Sequence, residues 1–217
     1  METSKVANPS DTDDLLRRAL DGDEAAFVAL FDAARDRLRR MVRLRLDRRL
    51  SGRVDESDVL QDAYLEARRR LADYARDPGT MPVHLWLRLV TGQTLTDLHR
   101  RHLGARMRDA GLEVALHRGA PPAASSASMA AQLFGKMTSA SRAAIRAEHA
   151  AIVQEALDGM DAIDREVLAL RHFEHLSNAE VALSLGLTRT AASNRYIRAL
   201  KRLKEILSSV PGLGDPL

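Results

Sequence analysis

The chain has 217 residues, 45 % hydrophobic but only 4 % aromatic, with 33 Lys and Arg against 30 Asp and Glu for a formal charge of +3. That length allows one or two compact units, and an apolar content leaning on Leu, Ala and Val favours helices over sheets. The absence of cysteine excludes disulfides and thiolate metal ligation, and without a run of about 18 uncharged apolar residues neither membrane spanning nor secretion is expected, so the cytoplasm is the expected compartment.

Residues 1–11 have no periodicity and read as a disordered leader, and the Ser10 to Asp14 run supplies capping side chains for a first helix from about Thr12. Leu15, Leu16, Ala19 and Leu20 form one helical stripe. Asp21-Gly22-Asp23 breaks it, and Ala26, Phe27, Leu30, Phe31, Leu38, Val42 and Leu46 resume the period as a second helix. After the polar Asp47 to Gly52 stretch, Val54, Val59, Leu60, Ala63, Tyr64, Ala67 and Leu71 predict a third, ended by Asp77-Pro78-Gly79. Pro82 can open a fourth, carrying Leu85, Trp86, Leu89, Val90, Leu95 and Leu98 into the basic stretch His99, Arg100, Arg101, Arg106 and Arg108. Trp86, set among leucines, reads as core. These helices predict a domain over 12–110.

Residues 111–148 hold Pro121-Pro122 and Ser125-Ser126 in a small-residue background and read as a flexible linker, with at most transient helix near Ala130 to Phe134. Helical periodicity returns through Ile152, Val153, Ala156, Leu157, Ile163, Val167, Leu168 and Leu170, predicting a second domain over 149–210 and a tail over 211–217. No strand alternation, solenoid repeat or Gly-rich phosphate loop occurs. The expected fold is all-α, in two helical domains.

Within the second domain, Ser177-Asn178-Ala179-Glu180 fits a capping box, followed by apolar Val181, Ala182 and Leu185 and a closing Gly186. Thr188 then caps a further helix whose Ala192, Tyr196, Leu200 and Leu203 are expected to face inward, the layout of a helix-turn-helix. From Arg189 to Lys204 this last helix has basic side chains and no acidic one, whereas acidic residues concentrate over 55–73. A short Gly-containing turn lets the first helix brace the DNA backbone while the second presents its N-terminal residues to the major groove. Arg189, Thr190, Ser193, Asn194 and Arg198 are the candidate base readers, since arginine matches a guanine edge and asparagine an adenine edge, while Arg195, Lys201 and Arg202 are suited to phosphates.

No catalytic constellation is visible, and the protein is not expected to be an enzyme. His99 with His102 and His172 with His175 are spaced three apart, but without a carboxylate set or cysteines they are not read as metal ligands; neither metal nor cofactor is expected.

Residues 186–205, with Arg195, Arg198, Ala199, Lys201, Arg202 and Leu203, resemble the region 4 helix-turn-helix of sigma factors of the extracytoplasmic-function group, within the sigma-70 family. Met160-Asp161-Ala162-Ile163-Asp164-Arg165-Glu166-Val167-Leu168-Ala169-Leu170-Arg171 is similar to that family's lead-in. A second match lies in Asp58-Val59-Leu60-Gln61-Asp62-Ala63-Tyr64, similar to the region 2.2 helix, and a third in Leu85-Trp86-Leu87 with Val90, Gln93, Asp97, Arg100 and Arg101, which resemble regions 2.3 and 2.4. The resemblance covers residues 12–108 and 150–208, and the chain is too short for the middle domain of larger sigma factors.

The resemblance implies a sigma factor that binds core RNA polymerase through its clamp helix and flap regions, recognises promoter DNA and opens it, with an anti-sigma factor as a further candidate partner and no membrane partner. It assigns Asp58, Gln61 and Asp62 to polymerase binding, Arg88, Gln93, Arg100 and Arg101 to the minus-ten element, and the basic last helix to the minus-thirty-five element. Family members often carry Asn where Gln93 stands and Thr, Val and Lys where Ala191, Ala192 and Ser193 stand, so a relative's promoter sequence does not transfer. The alternative is a stand-alone helix-turn-helix regulator, which would need no polymerase to bind its site.

Overall fold

The computed structural model describes residues 9–50, 52–77, 81–103, 121–134 and 143–209. Among these every regular element is helical, and the chain divides into two compact units, residues 1–122 and 123–217. The expected tail and all but the last three residues of the expected leader lie outside the described residues.

Unit 1 contains α1 (Pro9–Leu20), α2 (Glu24–Arg45), a short 3-10 turn (Arg48–Leu50), α3 (Glu56–Ala75) and α4 (Val83–Leu103). The first helix starts three residues before the expected Thr12. Gly22, at φ 95°, makes the break after it, and Asp23 restarts the chain by accepting the Ala26 amide at 3.1 Å. One core joins all four helices, with Phe27, Leu38, Val42, Val59, Ala63, Leu71, Leu87 and Leu95 essentially without solvent exposure. Tyr64 packs on Phe27 and Phe31 at 5.1 and 5.3 Å between ring centroids, and its hydroxyl donates to Glu24, which also accepts from Arg68. Trp86 is core, as expected: it is stacked on Tyr74 at 4.7 Å, whose hydroxyl donates to the Met81 carbonyl at 2.8 Å.

Helix α4 is buried on nearly every side. The hydroxyls of Thr91, Thr94 and Thr96 could not stay unpartnered there, and each donates to the carbonyl four residues earlier, on Leu87, Val90 and Gly92. At Gly92 a Cβ would come within 2.5 Å of Pro121 Cβ and 3.0 Å of Met41 Cε. The position therefore has no room for a side chain. His99 is buried, and its Nε2 accepts the Asp47 amide at 3.3 Å, which identifies the neutral ring as the folded form. Burial lowers its pKa from 6.5, outweighing the opposing pull of Asp47.

Unit 2 contains α5 (Ser126–Phe134), α6 (Ala143–Asp158), α7 (Ala162–Leu168), which runs on through a π-turn (Ala169–Phe173), α8 (Asn178–Leu185) and α9 (Arg189–Ser209). Part of the stretch expected as linker is thus ordered helix. Met129, Ala130 and Phe134 of α5 are buried, and Phe134 meets His149 of α6 at 5.9 Å. Small residues make this helix look faceless in sequence, yet they let it lie close against its neighbour. The Ala124 amide donates to Glu166 of α7 at 3.1 Å, and Arg165 closes the C-terminal end of α6 by donating to the Leu157 carbonyl at 3.1 Å.

Gly92→Ala is expected to destabilise the protein by about 1–2 kcal/mol, because overpacking against a proline ring outweighs the roughly 1 kcal/mol that alanine offers a helix; thermal unfolding measures it. For His99, the unfolded chain takes up a proton at higher pH than the folded one, so stability falls as pH drops from about 6.5 through the lower folded pKa. Chemical unfolding between pH 7.5 and 5 is expected to show this slope in the wild type and a flatter one in His99→Gln.

Candidate nucleic-acid interface

The helix-turn-helix is assembled by local hydrogen bonds that the sequence spells out. Ser177 Oγ accepts the Glu180 amide at 3.2 Å while the Glu180 carboxylate accepts the Ser177 amide at 2.6 Å, a complete capping box at the start of α8. Gly186 ends the helix in the left-handed region at φ 63°, a conformation that favours glycine. Two residues on, Thr188 Oγ1 accepts the Ala191 amide at 3.1 Å and opens α9. The Asn178 side chain, at the first position of α8, donates to the Arg189 carbonyl at 2.8 Å and ties the two helix starts together.

The buried face of α9 carries Ala192, Ala199, Leu203 and Ile206. Ala192 and Leu203 are inward as expected, but Tyr196 and Leu200 are only half-buried, and Ala199 and Ile206 take their place in the core. Tyr196 instead underlies Arg171, whose guanidinium carbon is 4.9 Å from the ring centre. Of the candidate readers, Arg189, Thr190, Asn194 and Arg198 are exposed and Ser193 is half-buried; of the candidate phosphate contacts, Lys201 and Arg202 are exposed and Arg195 is half-buried. Arg202 lies 3.5 Å from Glu205 one turn on.

Two of these arginines are bound to the protein itself. Arg198 donates from Nε and Nη2 to the Asp164 carboxylate at 2.5 and 2.9 Å. Arg195 donates to the same carboxylate at 2.6 Å and to Asp161 at 3.3 Å. Asp164 is 4 % exposed, and its pKa is lowered chiefly by the hydrogen bond from Arg198, then by that from Arg195. Sequence inspection missed Asp164 because its importance lies in partners 31 and 34 residues away. The available signal was an acidic residue just before an apolar run, set against a helix whose charges from Arg189 to Lys204 are all basic.

In unit 1 the candidate polymerase contacts sit at the start of α3. Asp58 is consumed locally: its carboxylate accepts the Asp55 amide at 2.9 Å and its own amide donates to Asp55, completing a capping box. Gln61 and Asp62 are exposed. The candidate minus-ten residues of α4 divide. Arg88 is 8 % exposed, against the expectation of a surface contact, because α4 is covered on nearly all sides. Gln93 is half-buried and accepts from Arg70 at 2.5 Å. Arg100 and Arg101 are exposed, Arg100 beside Asp97 at 3.4 Å and Arg101 beside Asp62 at 3.7 Å. Residues assigned to polymerase and to DNA therefore meet across α3 and α4.

Among the described residues no cluster of His, Asp or Glu is arranged to hold a metal ion, and no helix is long and apolar enough to cross a membrane.

Comparison with known proteins follows the same division. Residues 150–203 match the family described as sigma-70, region 4, a span that contains Asp164 and α9 through Leu203. The chain is 28 % identical over 211 residues to the RNA polymerase sigma factor NccH of Alcaligenes xylosoxydans xylosoxydans, covering 94 % of this chain and 98 % of that protein. It is 29 % identical over 142 residues to the probable RNA polymerase sigma factor RfaY of Xanthomonas campestris pv. campestris, covering 65 % of this chain but 31 % of that protein. The fold is similar to that of CnrH, solved in complex with the cytosolic domain of CnrY, with a TM-score of 0.55, 22 % identity and coverage of 92 % and 98 % of the two chains. Residues 150–203 thus carry a sigma-70 region 4 domain, and along most of its length the chain is similar to an RNA polymerase sigma factor.

Proposed function

We propose that the protein binds core RNA polymerase and directs it to promoters, unit 2 recognising the minus-thirty-five element and unit 1 engaging and opening the minus-ten element. The observation that carries the reading is the pre-assembled α8–α9 pair, capped at both helix starts and exposing Arg189, Thr190, Asn194, Lys201 and Arg202. Bidentate arginine and asparagine side chains discriminate bases, and lysine neutralises phosphate. On unit 1, Arg100 and Arg101 supply exposed charge for the DNA backbone and Gln61 and Asp62 face outward for the polymerase clamp. The Arg101–Asp62 pair is exposed and worth at most about 1 kcal/mol, so docking can separate the two charges cheaply.

In this reading the protein works by binding and orientation, with no catalytic step of its own, and acts in the cytoplasm with polymerase and chromosome. An anti-sigma factor is a further partner class, as CnrH is solved with the cytosolic domain of CnrY.

Run-off transcription with purified core polymerase on a promoter library tests the proposal: transcripts that require the protein support it, and sequence-specific DNA binding that needs no core enzyme replaces it with a stand-alone regulator. Arg189→Ala and Asn194→Ala are each expected to weaken binding to the selected upstream element by about 1–3 kcal/mol. Lys201→Ala is expected to weaken all sequences alike and to lower the slope of log affinity against log salt by about 1. Asp62→Ala is expected to weaken equilibrium binding to core polymerase while leaving the base preference of the assembled holoenzyme unchanged.

A further inference from the structure

We infer that Asp164 is a positioning residue for DNA recognition, a buried carboxylate that holds the Arg198 guanidinium side-on and aims its outer edge at a pair of acceptor atoms on DNA. The inference rests on the DNA-reading role proposed for α9 and deepens it. Asp164 lies on α7 with its side chain 6 % exposed, whereas the Arg198 side chain on α9 is 63 % exposed. The carboxylate is thus embedded in the protein and the arginine projects from it. Asp164 is itself held in place: its amide donates to Asp161 Oδ1 at 3.2 Å, and Arg195, with only 27 % of its side chain exposed, grips the carboxylate from a second direction.

The geometry of the pair decides what Arg198 can do. Guanidinium carries five N–H donors in a planar fork. Asp164 engages Nε at 2.5 Å and Nη2 at 2.9 Å, which uses one edge of the fork and leaves the Nη1 donors and the second Nη2 donor along the other. Two acceptors side by side, the O6 and N7 of guanine or two oxygens of one phosphate, match that free edge. An arginine without such a support would have to order its long side chain on binding. Here the ordering is already done, and the lowered pKa of Asp164 keeps the support charged at neutral pH.

The test uses holoenzyme reconstituted from the full chain and core polymerase, with promoters that the wild-type holoenzyme selects from a random library as probes. Asp164→Asn and Arg198→Ala are each expected to weaken promoter binding about tenfold, and the double variant no more than either alone, as coupled residues behave. A loss confined to one base position identifies guanine as the acceptor, and a uniform loss identifies phosphate; both support the inference. Additive losses, which a purely structural Asp164 would produce, overturn it. Arg198→Lys keeps the charge but cannot be gripped along an edge, so it is expected to lose affinity as Arg198→Ala does even if Asp164→Asn fails to fold; wild-type affinity in Arg198→Lys overturns the inference. Arg189→Ala separates the two levels. If it is silent, the α9 reading fails and this inference with it, whereas a strong Arg189→Ala effect beside independent Asp164→Asn and Arg198→Ala effects sinks only the inference.

Discussion

The Asp164 carboxylate lies almost wholly out of water, where an unpaired charge would be strongly destabilising. Arg195 and Arg198 answer it from α9, and because α7 and α9 come from distant stretches of chain, the pairing fixes how the basic helix is rotated and seated. Arg195 and Arg198 both reach Asp164 on α7, yet Arg198 stays exposed together with Arg189, Thr190, Asn194, Lys201 and Arg202, and the small Ala192 and Ala199 lie on the buried face of α9. The Asn178 bond to the Arg189 carbonyl then locks the start of α9 to the start of α8.

Unit 1 meets a different constraint. Its α4 is enclosed on nearly all sides: the buried threonine hydroxyls turn back to carbonyls of their own helix, and Gly92 makes room for Pro121. Exposed basic charge is left toward the C-terminal end of the helix, at Arg100 and Arg101. There Arg101 lies 3.7 Å from Asp62 of α3.

The candidate functional residues show what a side chain's type does and does not reveal. Asp58, Gln93, Arg88, Arg195 and Arg198 all have chemistry suited to a partner, yet Asp58 caps a helix, Gln93 takes a donor from Arg70, Arg88 is buried and the two arginines hold a buried acid. An acceptor or a cation serves an internal bond as well as an external one, and residue type alone cannot separate the two uses.

Sequence by itself determined the local rules of this protein: the helical periods of α1 to α4, the break at Asp21-Gly22-Asp23, the Ser177 capping box, the left-handed stop at Gly186, the Thr188 cap and the basic character of α9. Each of these is set by residues within a turn or two of one another, where spacing and backbone preference suffice. Tertiary structure alone decided that Ala199 and Ile206 of α9 are buried while Tyr196 and Leu200 are not, that α5 is a packed helix and not linker, that His99 is a buried neutral ring, and that Asp164 binds Arg195 and Arg198. These depend on contacts between stretches far apart in the chain, where an alanine-rich surface becomes an interface or an aspartate acquires two partners only once the helices are brought together.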